Sequence, residues 1–175
     1  MRSLARSFME LDFRKAIWLA PLAWSIHETE EWDIDSFARA HFIDPGSQAT
    51  IDHHHLWIQL GLVALNGLVW TAITAWPKNP RFAAILTLPF FVYFSLANAL
   101  QHIYWAAYFR TYAPGVITAV LLVAPIVVGL TIKALRAGLI PRWYATAMYA
   151  TVIPTLVSTV LAGGRYEVLP WPIKV

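Results

Sequence analysis

The stretch Phe82–Phe109, FAAILTLPFFVYFSLANALQHIYWAAYF, runs for 28 residues without an aspartate, glutamate, lysine or arginine. About 20 apolar residues suffice for a helix to cross the hydrocarbon of a bilayer. A soluble domain has no layer thick enough to bury so long a run, so this stretch predicts a membrane-spanning helix. Three further runs satisfy the same requirement: Leu56–Trp76, Ala113–Ile132 and Trp143–Ala162. A fifth, Ala16–Ile26, has a strictly apolar part of 11 residues. It spans only if His27, Glu28, Glu30 and Glu31 are carried into the helix end. The breakers agree with this division. Trp76–Pro77 to Arg81, Ala113–Pro114–Gly115 and Leu139–Ile140–Pro141 separate the runs. Single prolines within them, Pro21, Pro89, Pro125 and Pro154, are of the kind that membrane helices tolerate as kinks.

Composition supports the same class. Of 175 residues, 58% are hydrophobic and 13% charged, and the mean hydropathy is +0.54. Disorder is excluded, because it needs low hydrophobicity and high charge. With no cysteine, a disulfide scaffold, a thiolate zinc site and a cysteine nucleophile are excluded too. The net charge of +3 forms no basic stripe, so nucleic acid is not expected as a partner. The expectation is an all-α integral membrane bundle of five transmembrane helices, a single domain over residues 1–175. Residues 1–14 are read as an interfacial segment without a cleaved signal peptide, and residues 33–52 as an outer loop. Lysine and arginine set the orientation. Arg2, Arg6, Arg14, Lys15, Lys78, Arg81, Lys133, Arg136 and Arg142 fall on one side of a five-span chain; Arg39, Arg110, Arg165 and Lys174 fall on the other. That places the N-terminus in the cytoplasm and the C-terminus outside, in a bacterial inner (plasma) membrane.

The scarce ionisable groups are not spread evenly. Five of six histidines and seven of ten carboxylates lie between His27 and His55. In the expected topology the first span ends at His27–Glu31, the second begins at His53–His54–His55, and the third ends near His102. All reach the same, outer level. His27, Glu30 and Glu31 are spaced i, i+3 and i+4, which puts them on one helical face, with Glu28 turned about 100° away. His55, Gln59 and Asn66 form one stripe on the second span, and Asn98 and His102 share a face on the third. Polar stripes are costly against lipid, so all three are expected to turn inward around a shared pocket. His41 and Asp44 are read as solvent-facing, and most of the 9 tryptophans as interfacial anchors.

His27-Glu28-Thr29-Glu30-Glu31 is an H-x-x-E-E motif, and Tyr112-Ala113-Pro114-Gly115 is a Y-x-P-G. With His102 between them, the chain resembles the HXXEE-domain family of small bacterial and fungal membrane proteins, a family of unknown function. The resemblance implies a role for His27, Glu30, Glu31, His102, Tyr112, Pro114 and Gly115, but no reaction. The His53–His55 run lies outside the family pattern.

Three functions are compatible with these residues. The first is a metal-dependent enzyme hydrolysing or oxidising a lipid-like substrate. Histidine and carboxylate without thiolate suit zinc, iron or manganese. His27, Glu30, Glu31, His55 and His102 are the candidate ligands, with a spare carboxylate as general base and with Asn98, Gln59, His54 and Tyr112 in support. The second is a metal-free acid–base isomerase or cyclase acting on a lipid or isoprenoid, by analogy with EXPERA-type membrane proteins; two close carboxylates oppose double ionisation and so separate an acid from a base. The third is a non-enzymatic binding or scaffold subunit.

Overall fold

The computed structural model describes residues 7–42 and 53–162. Among these residues every regular element is helical. A helical turn at Phe13–Ala16, N-capped by the Asp12 side chain, precedes α1 (Leu19–Glu30). A 3₁₀ turn, Glu31–Asp33, leads into α2 (Ile34–His41). Then come α3 (His53–Ala75), α4 (Pro80–Phe109), α5 (Val116–Arg136) and α6 (Arg142–Leu161).

Four helices, α3 to α6, are long and apolar enough to cross a membrane. The expected fifth, Ala16–Ile26, is not among them. The turn at Ile17–Trp18 interrupts it, and the 12-residue α1 rises only about 18 Å. The expected loop 33–52 also differs. Ile34–His41 is helical, with Phe37 buried against Trp105, and residues 43–52, including Asp44, lie outside the described residues. Residues 1–6 and 163–175 lie outside them too.

α1 sits against α3, α4 and α5. Its Ala20, Ala23, Trp24 and His27 are buried, whereas Leu22 and Ile26 face outward. Ala20, Ala83 and Ala84 are buried in one core, and Trp24 fills the space beside Phe90 and Phe91, each at 5.8 Å between ring centroids.

Proline shapes α4. Pro89 has no N–H to give to the carbonyl of Ile85, four residues earlier. The Tyr144 hydroxyl of α6 takes over that carbonyl at 2.6 Å. Immediately after Pro89 the backbone widens into a π-helical turn, Phe91–Leu96. α5 has a similar wide turn, Ala119–Val123, just before Pro125.

The end of the bundle away from His27 is closed by basic side chains on helix-end carbonyls. Arg14 donates to the Ala75 carbonyl at 3.0 and 3.2 Å, and buried Lys133 donates to Phe8 and Met9 at 3.1 and 2.7 Å. Cations are favoured at helix C-termini. α5 stops at Gly138 (φ 65°), where the Gly138 and Leu139 N–H groups return to the Leu135 and Ala134 carbonyls.

The Tyr144–Ile85 bond generates a prediction. Tyr144→Phe leaves a partly buried carbonyl unsatisfied and is expected to cost about 1–3 kcal/mol, read as a lower Tm in detergent. In a Pro89→Ala background the new N–H reclaims the carbonyl, so the same change should cost much less. An equal cost in both backgrounds would contradict the assignment.

Candidate metal centre

The centre is built at the junction of α1, α4 and the start of α5. His27 and Glu31 stand one helical turn apart at the end of α1. His102 comes from the second half of α4. His27 and His102 are fully buried and Glu31 is 6% exposed. Glu31 Oε1 lies 3.0 Å from His27 Nε2 and 3.0 Å from His102 Nε2. One donor atom from each of the three residues lies within 4.8 Å of the others. The two imidazole rings are perpendicular, with centroids 5.1 Å apart. Trp105 packs edge-on against His102 at 4.9 Å.

These contacts are short, but they are not all linear hydrogen bonds. Glu31 Oε1 and both ring nitrogens of His102 have no hydrogen-bond partner of acceptable direction among the described residues. Glu31 Oε1, His102 Nε2 and His27 Nε2, the last also in contact with Asn98 Oδ1, instead converge on one region. Donors held at about 2.1 Å from a common ion and about 90–110° apart lie roughly 3.0–3.4 Å from each other. The two 3.0 Å edges match that spacing.

Glu30 does something else. Its carboxylate accepts from the Ile117 N–H (3.0 Å), the Thr118 N–H (2.7 Å), the Thr118 hydroxyl (2.5 Å) and the Tyr112 hydroxyl (2.8 Å). The two N–H groups belong to the first turn of α5, where no intrahelical acceptor exists. Glu30 therefore caps a helix from another part of the chain, and its charge complements that helix's positive end. Tyr112 lies outside the apolar helices; its partial burial and the Glu30 carboxylate beside it push the phenol up to about 12.

A proton count then fixes the His27 ring. Thr118 Oγ1 has one proton, which it directs at acceptors only: Glu30 Oε2 at 2.5 Å and, more distantly, the Gly115 carbonyl at 3.2 Å. The hydroxyl oxygen accepts from His27 Nδ1, 2.7 Å away, so Nδ1 carries a hydrogen. A histidine that donates one N–H to an outer partner is oriented to use the other nitrogen as a ligand. That other nitrogen, Nε2, faces two acceptors, Glu31 Oε1 at 3.0 Å and Asn98 Oδ1 at 2.7 Å. With Asn98 presenting its oxygen, two states satisfy this arrangement: an imidazolium, or a neutral ring whose lone pair meets a cation.

Gly115 closes the centre. Its φ of +92° favours glycine, and an added Cβ would stand 2.8 Å from His27 Cε1, 3.0 Å from His102 Nδ1 and 3.2 Å from Glu31 Cγ. The profile of a family described as "Protein of unknown function with HXXEE motif" matches residues 18–130. The chain belongs to this HXXEE family. No curated protein and no solved structure matches it. The family's two glutamates thus have separate positions here: Glu31 meets the histidines, and Glu30 holds the turn that carries Gly115 against them.

The other expected site residues are placed as follows. Asn98 meets His27. Tyr112 meets Glu30. His54 is exposed, and Gln59 is half-buried outside the triad. The backbone at His53 and His55 begins α3, but their side chains lie outside what is described. Asn66 is exposed, so the second span's stripe does not converge on the pocket as expected. α3 packs against α1 with a different face, and helical phase alone had no reference for which. Two contributors were not foreseen. Thr118 lies inside the apolar run Ala113–Ile132, and its place three residues past Gly115, in the first turn of α5, is the signal that could have found it. Glu28, turned away from His27, is buried and accepts from the Trp24 indole N–H.

Gly115→Ala is expected to lower Tm well beyond Gly138→Ala. Both carry positive φ, but nothing lies within 4 Å of a Cβ at Gly138. The second change should cost about 1 kcal/mol. Equal losses in a thermal melt would show that the contacts at Gly115 do not constrain the centre.

Proposed function

We propose that the protein is a membrane-embedded, metal-dependent hydrolase acting on a lipid-like substrate, with His27, Glu31 and His102 as ligands of one divalent ion. The observation that carries this reading is the convergence of three buried donors, with two edges of 3.0 Å and all atoms within 4.8 Å, and no linear hydrogen bonds for Glu31 Oε1 or His102. Two imidazoles and one carboxylate, with further positions open, make up the donor set of hydrolytic zinc sites. The same set suits iron or manganese. Such an ion lowers the pKa of water and polarises an acyl or phosphoryl oxygen. In the hydrolysis, water oxygen bonds to that centre, the bond to the leaving oxygen breaks, and the leaving oxygen takes up a proton. The chain's part is to fix the donors. Glu30 orders Thr118, Thr118 fixes the His27 tautomer, and Gly115 leaves room for both rings. Glu30, spent on four donors, is a positioning residue here rather than the general base. His55 stays a candidate fourth ligand.

The membrane arrangement belongs to the same proposal. The helical turn Phe13–Ala16, α1 and the Glu31–Asp33 turn together complete a five-span bundle with the N-terminus in the cytoplasm and the C-terminus outside, in a bacterial inner membrane. Arg14 and Lys133 cluster at the end opposite the triad, which supports an outer level for the centre.

A second reading rests on His27 Nε2 facing two acceptors. An imidazolium beside Glu31 is poised for metal-free proton transfer, as an isomerase or cyclase would need. Metal analysis separates the two. Protein purified without chelator is expected to hold about one equivalent of zinc, iron or manganese, nearly all lost in His27→Ala, Glu31→Gln and His102→Ala. Glu30→Gln and Thr118→Val should keep the site but weaken it roughly 10–100-fold, as loss of an outer partner does. Wild-type protein that is empty and takes up none of the three added ions would overturn the metal reading.

A further inference from the structure

α3 carries a polar residue where a lipid-facing helix should have none. Asn66 is the eleventh of the 20 residues of the apolar span Leu56–Ala75, about 15 Å from either end. It is exposed, and its side chain has no hydrogen-bond partner among the described residues. The outward-facing threonines of α6 differ in this respect. Thr146 and Thr151 return their hydroxyls to the Arg142 and Met148 carbonyls of their own helix. An amide has two N–H donors and a carbonyl, more than its own helix can occupy. Left against hydrocarbon, such a group is expensive.

The residues around it form a pattern. Gln59, Leu62, Asn66, Val69 and Ile73 follow one another at intervals of three, four, three and four. That is the spacing of a coiled-coil seam, in which each side chain inserts between those of a like helix. Leu62, Val69 and Ile73 are 58%, 47% and 61% exposed, and Gln59 is half-buried at the stripe's edge. The seam faces away from the chain's own bundle. A single asparagine within such a seam fixes register.

We propose that this face of α3 is the interface with a second copy of the same chain, with Asn66 of each copy hydrogen-bonded to the other across a two-fold axis. Copies inserted the same way in a membrane present this helix in parallel, so Asn66 meets Asn66 at equal depth. The amide is complementary to itself: the negative carbonyl oxygen of one lies against the positive N–H₂ of the other. A two-fold interface requires such a self-matching patch. Interhelical bonds of this kind add to van der Waals packing in membranes.

The chain has no cysteine, so single cysteines report proximity cleanly. Leu62→Cys, Val69→Cys and, as control, Val157→Cys on the exposed face of α6 are reconstituted in phosphatidylcholine vesicles at high lipid dilution and oxidised. The seam positions are expected to form disulfide-linked dimers, and the control to remain monomeric. In the Leu62→Cys background, Asn66→Leu should weaken association roughly 3–30-fold, and Asn66→Gln should retain it. An unchanged Tm shows that the variants fold, and the metal content reports on the separate centre. Monomer at both seam positions, equal cross-linking of the control, or full dimerisation of Asn66→Leu would overturn the proposal. The monomer outcome would leave lipid or a different protein as the occupant.

Discussion

The Glu30 carboxylate on the first turn of α5 is the interaction on which the rest of the centre depends. It joins the end of α1 to the start of α5 through two backbone N–H groups and two hydroxyls. Backbone donors cannot rotate away as a side chain can, so this contact fixes the position of α5 along α1. The Tyr112–Gly115 turn, immediately before those donors, is thereby pressed onto His27 and His102. Without the cap, the N-terminus of α5 would present unsatisfied donors beside a buried surface. The same interaction satisfies the backbone and sets the tautomer of His27.

Two adjacent glutamates serve different partners because of helical phase. From His27, position i+3 lies about 60° to one side and position i+4 about 40° to the other. Both count as the same face in a coarse projection, yet they diverge by about 100°. α1 ends at Glu30, and Glu31 opens the 3₁₀ turn. The change of helix type lets Glu31 turn toward His102 while Glu30 reaches α5. An i, i+3 His–Glu pair chelating one ion was a natural reading of the motif. It is displaced by a stronger local demand, the unsatisfied N–H groups of the neighbouring helix.

Much of the fold was legible in residues that had no other place to go. The uncharged run from Phe82 to Phe109 emerged as one helix, and the turns at Pro77 and Pro141 separate helices where their ring geometry requires it. His27, Glu30, Glu31 and His102 stood out by their cost in so apolar a chain, and three of them, His27, Glu31 and His102, lie together. α1 was harder, since an apolar stretch of 11 residues does not reveal whether neighbours will bury it. Here α3, α4 and α5 do. Thr118 was hidden because a threonine in an apolar helix usually bonds its own backbone, as Thr71 and Thr131 do. The direction of the α3 stripe was hidden for a geometrical reason: phase orders residues relative to one another, but not relative to the bundle.

Most buried polar side chains among the described residues are matched. Thr74 meets Thr87, Gln101 donates to Thr159, Tyr144 serves the carbonyl that Pro89 frees, and Lys133 caps two carbonyls. Polar groups in a hydrocarbon setting are matched because each unmatched one is costly. Among the described residues, beyond the Ser95 hydroxyl in the wide turn of α4 and one carboxylate oxygen of Asp35 in α2, two departures stand out. One is the His27–Glu31–His102 centre, where donors converge without linear hydrogen bonds. The other is Asn66, which faces outward at mid-depth. A chain that satisfies a freed proline carbonyl with a tyrosine from another helix has the means to satisfy these groups internally. That it leaves both open is the physical reason for proposing an ion at one and a second copy at the other.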